Sequence, residues 1–487
     1  MKDASFSPKD SLTQARPVLC VDMDGTLLAT DSAWELFLSL VKRAPLSALT
    51  LTLWLLQGRA AFKHRLAQLS NLDVARLPYH AEVLALLRRE HARGRRLVLT
   101  TGADQLVAQA VASHLGLFSE VLASNGTRNL SGREKAEAIC QRFGPRGFDY
   151  IGNSFADLHV WRRAGEALVV APSPGLVRMV QRVATVTQIF QPADQKRLAR
   201  VLATARLYQW VKNFLVFVPL ILAHDVSQFS LWFKAGISFV SFCLCASAGY
   251  AVNDLFDLDS DRAHPVKRDR PLAAAQISIR VVGLLVLLFA ATGVGLGAVF
   301  LPLRFTELLM LYLAGTALYS AYLKRLVLVD VFALAGLYTL RILAGGAAVS
   351  VAISRWLAAF SMFFFLSLAF AKRFSELHTA NLNHRGANLD RGYLATDLSF
   401  LQSVGAASGY LAVLVMAFYV DSPEVRRLYS HPQWLWLVCP LLLYWISRLW
   451  LFAQRGAVSE DPLVFALKDK MSYLVALCLL AVICLAL

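Results

Sequence analysis

Beyond about Arg200 the chain consists of long apolar runs separated by short charged loops, and no other feature limits its fold as strongly. A run near 20 apolar residues can cross the hydrocarbon layer as a helix, the form that keeps its backbone hydrogen bonds within one segment there. About nine such spans are expected, at 208–223, 230–253, 277–300, 303–323, 328–349, 356–371, 398–420, 434–452 and 471–487. The second part is therefore expected to be an all-α polytopic membrane bundle. Hydrophobic residues make up 57% of the 487, but unevenly, and the first 190 read as a soluble α/β domain. Gln188–Arg200, with Pro192 and three basic residues, breaks that pattern. The expected division is 1–190, a linker at 191–205, and 206–487.

The net charge of +16 lies largely in loops between spans. Such positivity marks the cytoplasmic side of a membrane protein and is no footprint for nucleic acid. No signal peptide precedes the first domain, so the N-terminus is expected in the cytoplasm. The loops after the second, fourth, sixth and eighth spans then face the cytoplasm and hold Lys267, Arg268, Lys324, Arg325, Lys372, Arg373, Arg455 and Lys468. The opposite loops hold fewer, among them Arg304 and Arg355. The seven cysteines show neither CxxC nor CxxH spacing and point to no disulfide frame or zinc site.

Tyr250–Ala275, YAVNDLFDLDSDRAHPVKRDRPLAAA, places five acids and five basic residues, counting His264, at the end of an apolar helix. Charge in that position calls for a reason. Asp254, Asp257 and Asp261 recur at i, i+3 and i+7, so on a helix they share one face with Asn253 beside them. Three carboxylates on one stripe repel unless a cation lies among them, and hard oxygen donors beside a polyphosphate suit Mg²⁺. His264, Lys267, Arg268 and Arg270 follow as hydrogen-bond donors for phosphate, with Pro265 and Pro271 fixing the loop. A Ca²⁺ loop fits poorly, since Arg262 stands where it needs Gly and Arg268 where it needs Glu. A solvated juxtamembrane charge run would explain the bases but not the spaced acids.

The order NDxxDxxxD followed by HPxKRxRP resembles the UbiA-type intramembrane prenyltransferases, and within them the decaprenyl-phosphate phosphoribosyltransferases. The resemblance implies that Asn253, Asp254, Asp257 and Asp261 bind Mg²⁺ and the donor's diphosphate. Arg206–Asn213, RLYQWVKN, is similar to the segment opening those enzymes, with Leu207 in place of the usual Pro; Lys212 and Asn213 would meet a lipid phosphate, or serve only as an interfacial anchor. Tyr319 and Lys324 are further substrate candidates. Asp330 and Arg341, about three turns apart, share a face and are expected to form an ion pair or touch substrate.

Where ordinary members carry a second acidic motif, this chain has Lys372, Arg373 and Glu376. Bases there favour a donor with an additional phosphate, as in phosphoribosyl diphosphate, although snorkelling would also account for them. Asp461 to Asp469, DPLVFALKD, resembles a segment of the same enzymes whose role the residues do not disclose.

In the first domain, Arg16–Leu28 runs an apolar strand into Asp22-Met23-Asp24-Gly25-Thr26. Two carboxylates at a strand's carboxyl end can serve as nucleophile and general acid in phosphoryl transfer. DxDGT resembles the haloacid-dehalogenase-like phosphatases, which implies a Rossmann-like fold with a small helical cap, here about 32–88. By that resemblance Asp22 is the nucleophile, Asp24 the acid and base, Thr101 and Lys135 hold the phosphoryl group, and Asp22, Asp24 and Asp157 hold Mg²⁺. Asn153 departs from the pattern, which commonly has Asp there.

The expected function joins the two: Mg²⁺-dependent transfer of 5-phosphoribosyl to a polyprenyl phosphate, then removal of the 5-phosphate, toward a lipid-linked pentofuranose at a bacterial inner membrane. The alternatives are prenyl transfer from a diphosphate to an aromatic acceptor, and a non-catalytic lipid-phosphate transporter or scaffold.

Overall fold

The computed structural model describes residues 17–44, 47, 50–170, 173–191, 197–223, 228–382, 392–458 and 461–487, so residues 192–196 of the expected linker lie outside the described residues. The chain forms two compact units. The first comprises residues 1–201 together with 254–282, the second residues 202–253 with 283–487. A boundary by chain position within 191–205 remains our proposal; in space the loop 254–282 belongs with the first unit.

The first unit is built on six parallel strands, β1 (Val18–Val21), β2 (Leu97–Asp104), β3 (Glu120–Ser124), β4 (Phe148–Gly152), β5 (Glu166–Val170) and β6 (Thr185–Phe190), in the order β3-β2-β1-β4-β5-β6. The side-chain period of two sorts β1 between two cores. Leu19 and Val21 pack with Leu97, Leu99 and Ile151 on one face, Cys20 with Val98 and Tyr150 on the other. Both faces are covered, as a parallel sheet requires.

Between β1 and β2 lie α1 (Ser32–Arg43), α2 (Leu51–Leu56), α3 (Arg59–Leu69) and α4 (Ala81–Ala92). Asp31 caps α1 by accepting from Ala33 N at 3.0 Å, so the turn after the DMDGT run leads directly into a helix start. The strand order reverses at β1, whose neighbours are β2 and β4, and in open sheets of this kind ligands bind outside the carboxyl ends at that point.

The second unit is helical. Six helices are long and apolar enough to cross a membrane: Phe229–Phe256, Ile279–Phe300, Val329–Val349, Arg355–Thr379, Ala395–Val420 and Pro432–Gln454. The pair Pro462–Lys468 and Lys470–Ala486, bent by 86°, makes a seventh if counted as one span. Of the expected nine, six, or seven with the bent pair, are long and apolar enough among the described residues. Leu207–Phe217 is a 3₁₀ helix that passes into Val218–Leu222 at Pro219, too tightly wound and broken for a regular span. Leu303–Ala321 is helical but carries Arg304 and Glu307. The C-terminal bend falls at Asp469, which caps the last helix by accepting from Ser472 N at 2.9 Å. At Gly345 the helix Val329–Val349 meets the 3₁₀ segment so closely that a Cβ would lie 2.1 Å from Val216 O.

Candidate active sites

Asp22 follows β1 with its backbone N–H donated to Ile151 O of β4 at 3.0 Å, so its side chain stands at the sheet's reversal point. Lys135, in α6 (Arg133–Phe143), donates to Asp22 Oδ1 at 2.8 Å, to Asp157 Oδ1 at 3.2 Å and to the Tyr150 hydroxyl at 3.0 Å. Tyr150 in turn donates to Asp157 Oδ1 at 2.8 Å, and Ser154 Oγ to Asp157 Oδ2 at 2.7 Å. Thr26 Oγ1 donates to Asp22 Oδ2 at 3.1 Å.

This cluster polarises its members differently. Burial pushes the Asp22 carboxyl up to about 6, against the pull of Lys135. Burial acts the same way on Asp157, but Lys135 and the Ser154 and Tyr150 hydrogen bonds win and hold it below the usual carboxylate range. Lys135 is held charged, above its ordinary value, because Asp22 and Asp157 outweigh its own desolvation.

Asp24 stands apart from Lys135 and accepts from Ser32 N at 2.9 Å and Ser32 Oγ at 3.1 Å, bonds that bind it to the start of α1. Burial, reinforced by the neighbouring Asp31, raises its carboxyl to about 7. Two carboxyls two residues apart thus sit in unlike environments. Thr101 is buried in β2, its Oγ1 accepting from Ala103 N at 3.0 Å. Gly25 has φ +73°, and a Cβ there would lie 2.0 Å from Asn153 Nδ2, so the turn admits only glycine beneath Asn153. Around these groups is a cavity of about 450 Å³.

The acidic stretch begins on helix Phe229–Phe256 and continues into the short helix Leu258–Ala263. Arg270 Nη1 donates to Asp261 Oδ2 at 2.6 Å and to Asp254 Oδ1 at 3.4 Å. A cation does lie between two of the three acids, but it is a guanidinium from nine residues downstream. Burial raises the Asp261 carboxyl, with Arg270 opposing. Among the described residues no group of three or more His, Cys, Asp or Glu side chains converges on a metal position. The oxygen pairs that do converge, Asp22 with Asp157 and Asp254 with Asp261, each share a cationic side chain, and one or two carboxylates are what Mg²⁺ asks of a protein when phosphate and water complete its shell.

The UbiA prenyltransferase pattern matches residues 214–474, more than half of the chain. The chain belongs to the UbiA prenyltransferase family. The haloacid dehalogenase-like hydrolase pattern matches residues 19–162, so this UbiA-family protein carries a hydrolase-type domain ahead of its membrane helices and is an integral membrane protein. An uncharacterised protein of Sinorhizobium fredii is 37% identical and shares the whole arrangement, covering 96% of this chain and 90% of its own. A nodulation protein of Azorhizobium caulinodans is 33% identical over 55% of this chain and 86% of its own. A decaprenyl-phosphate phosphoribosyltransferase of Mycobacterium tuberculosis is 29% identical over 59% of this chain and 93% of its own.

Within this UbiA-family chain several residues are placed otherwise than their spacing suggested. Asp330 and Arg341 do not pair. Asp330 meets Arg373 Nη2 at 2.5 Å and accepts from Tyr393 OH at 2.6 Å, whereas Arg341 donates to Asn213 Oδ1 at 2.9 Å and Tyr312 OH at 2.9 Å. Arg373 also pairs with Glu376 and is fully buried, so it is engaged internally and not presented to a phosphate. His264 Nδ1 accepts from the Val266 and Lys267 amides at 3.2 Å each, which shapes the loop and uses one ring nitrogen.

Lys212 is buried against Asp461, which joins the two family-like segments of unassigned role. Lys324 donates to Asn253 Oδ1 at 3.3 Å. Lys267 and Lys372 are half-buried, Arg268 is exposed, and Tyr319 is half-buried in the last turn of Leu303–Ala321. Sequence reasoning missed Lys63, Tyr150 and Arg280. Lys63 of α3 donates to Gly102 O at 2.6 Å, and both Lys63 and Arg280 line the cavity around Asp22. Tyr150, buried on β4, carries no pattern that separates it from an ordinary core tyrosine.

Proposed function

We propose that the protein transfers a 5-phosphoribosyl group from phosphoribosyl diphosphate to a polyprenyl phosphate, and that its hydrolase-like domain then removes the 5-phosphate. The observation that carries the first half is the Asp254–Arg270–Asp261 bridge, a seat for positive charge at the end of an apolar helix. The relatives of printed activity support the donor; so does the sequence at Lys372–Glu376, which has no second acidic motif of the kind that would hold another metal. A prenyl diphosphate held by two metals would need those acids.

In this reading a polyprenyl phosphate oxygen attacks the anomeric carbon, and the bond to the diphosphate breaks. Asp254 and Asp261, with Asp257 beside them, would hold Mg²⁺, which when bound would supply positive charge to offset the leaving diphosphate. Lys267 and Arg268, in the same loop, would donate hydrogen bonds to phosphate oxygens, and Lys324 and Lys372 are further candidates for that role. Asp22, the Asp24 main-chain carbonyl and Asp157 would hold a second Mg²⁺. There Asp22 attacks the phosphorus of the 5-phosphate, Asp24 gives its proton to the departing sugar oxygen and afterwards takes one from water, and Lys135 and Thr101 hold the phosphoryl oxygens. The carboxyl of Asp24 near 7 supports its role as proton donor. Positive loops support an inner-membrane protein with its first domain in the cytoplasm.

The test follows label from phosphoribosyl diphosphate into polyprenyl phosphate with purified protein and Mg²⁺. Lipid-linked label that disappears in Asp257→Asn, and retains its 5-phosphate in Asp22→Asn, is the expected result. Absence of label, with consumption of a prenyl diphosphate and an aromatic acid instead, would move the protein to prenyl transfer.

A further inference from the structure

We propose that Arg280 makes the hydrolase cavity a two-anion site: the sugar 5-phosphate is taken at Asp22, and the phosphodiester joining that sugar to its lipid is taken at Arg280. This rests on the function proposed above and names what selects the substrate of its second step.

The cavity of about 450 Å³ is larger than one phosphate needs, and its walls carry three cations, Lys63, Lys135 and Arg280. Lys135 is buried between Asp22 and Asp157 and answers the phosphoryl group that arrives there. Lys63 is directed to Gly102 O and to Asn129 Oδ1 at 3.2 Å, on the side of β2. Arg280 has a different origin. It lies in the first turn of Ile279–Phe300, a helix apolar enough to cross a membrane, yet packs with the first unit.

Two contacts hold Arg280 in place. Its Nη2 donates to Asp31 Oδ2 at 2.5 Å, and its guanidinium carbon lies 5.5 Å from the centre of the Trp34 ring. The side chain is nonetheless 59% exposed, so the group is oriented without being sealed. A guanidinium offers five N–H donors in a planar fork, a geometry matched to two phosphate oxygens at once.

The position fits the second anion and not the first. A lipid-linked phosphodiester rests where apolar helices begin, which is where Arg280 stands in the chain, while the sugar can carry its 5-phosphate onward to Asp22. A soluble sugar phosphate has only one anion and gains nothing from this contact. The hydrolysis balances in two steps: the phosphoryl group passes from the sugar oxygen, which takes the Asp24 proton, to Asp22 as an acyl phosphate, and water that gives a proton to Asp24 then attacks phosphorus, releasing inorganic phosphate and restoring the Asp22 carboxylate.

The experiment uses full-length protein in detergent with two substrates, a polyprenyl-phosphoryl-5-phosphoribose and ribose 5-phosphate, and the variants Arg280→Ala and Arg280→Lys. Losing a hydrogen bond to a charged group corresponds to about a 10- to 100-fold weakening. The expected result is that Arg280→Ala raises KM for the lipid substrate by at least about ten-fold more than for ribose 5-phosphate, with Arg280→Lys between wild type and Ala. An equal change for both substrates, or none, overturns the inference. If the wild type releases no phosphate from the lipid substrate, the proposed second step fails and this inference with it; release by the wild type with an unshifted KM ratio overturns this inference alone.

Discussion

Lys212 and Asp461, 249 residues apart in the chain, form a buried ion pair that joins the 3₁₀ segment Leu207–Phe217 to the start of helix Pro462–Lys468. Asp461 also caps that helix by accepting from Leu463 N at 3.1 Å. Removing one partner leaves the other charge buried without compensation, a loss of about 3–5 kcal/mol, whereas replacing both by apolar groups is close to neutral. Lys212→Met should therefore lower thermal stability in detergent far more than the double variant Lys212→Met with Asp461→Leu, less the lost cap of about 1 kcal/mol. If the two single variants and the double variant melt alike and only transfer is lost, the pair serves substrate and not structure.

Arg270 occupies the place between Asp254 and Asp261 that a divalent cation would take. Without it the two carboxylates repel, and a metal that binds the folded state stabilises it by mass action. Arg270→Gln should melt below wild type in chelator and recover with added Mg²⁺ by a larger margin than wild type does. The Mg²⁺ response should vanish when Asp254→Asn and Asp261→Asn are added. A response as large in that triple variant would show that the metal binds elsewhere.

Asp24 yields a pH dependence whose sign follows from its raised carboxyl. The folded protein keeps the proton up to about 7, while the unfolded chain releases it near 3.8. Stability from this group is full below about 4, falls through that window and stays low above 7. Asp24→Asn removes the penalty: no gain at pH 4 and a gain of about 1–2 kcal/mol at pH 8, well under the full value of three pK units because Asp24 lines a wet cavity. Phosphatase activity should be lost in the same variant. Equal melting of the two proteins at pH 8 would refute the raised carboxyl.

The parts of this architecture visible in the residues are those written locally. The strand into DMDGT, the spaced aspartates and the helical grain of the second half each depend on a single short period. What was not visible comes from elsewhere in the chain. Eleven residues on one helix face separate Asp330 from Arg341 by about 16 Å along the axis, too far to pair, and their partners Arg373, Asn213 and Tyr312 come from other segments. Lys63 arrives from the cap and Arg280 from the first turn of Ile279–Phe300, where an arginine at the end of a span reads as an ordinary membrane flank. Three of the nine expected spans do not stand alone by length and apolarity among the described residues: the first is wound as a 3₁₀ helix up to the break at Pro219, the fourth carries Arg304 and Glu307, and the last follows a bend at Asp469.

Asn153 stands where related hydrolases commonly carry an acid, and its amide packs over Gly25 in the wall of the cavity that holds Asp22 and Asp157. Asn153→Asp keeps the shape and adds a third carboxylate around the single charge of Lys135. In chelator that charge is unfavourable, and the variant should melt lower than wild type by on the order of 1 kcal/mol. With Mg²⁺ the order should reverse, because an extra hard oxygen strengthens the cation's hold. Titrating Mg²⁺ against melting temperature in both proteins decides the matter: a steeper and earlier rise in the variant places the metal beside Asn153. Identical titrations would mean that the natural asparagine has not weakened a metal site, and that the Asp22–Lys135–Asp157 cluster works with the charge it already has.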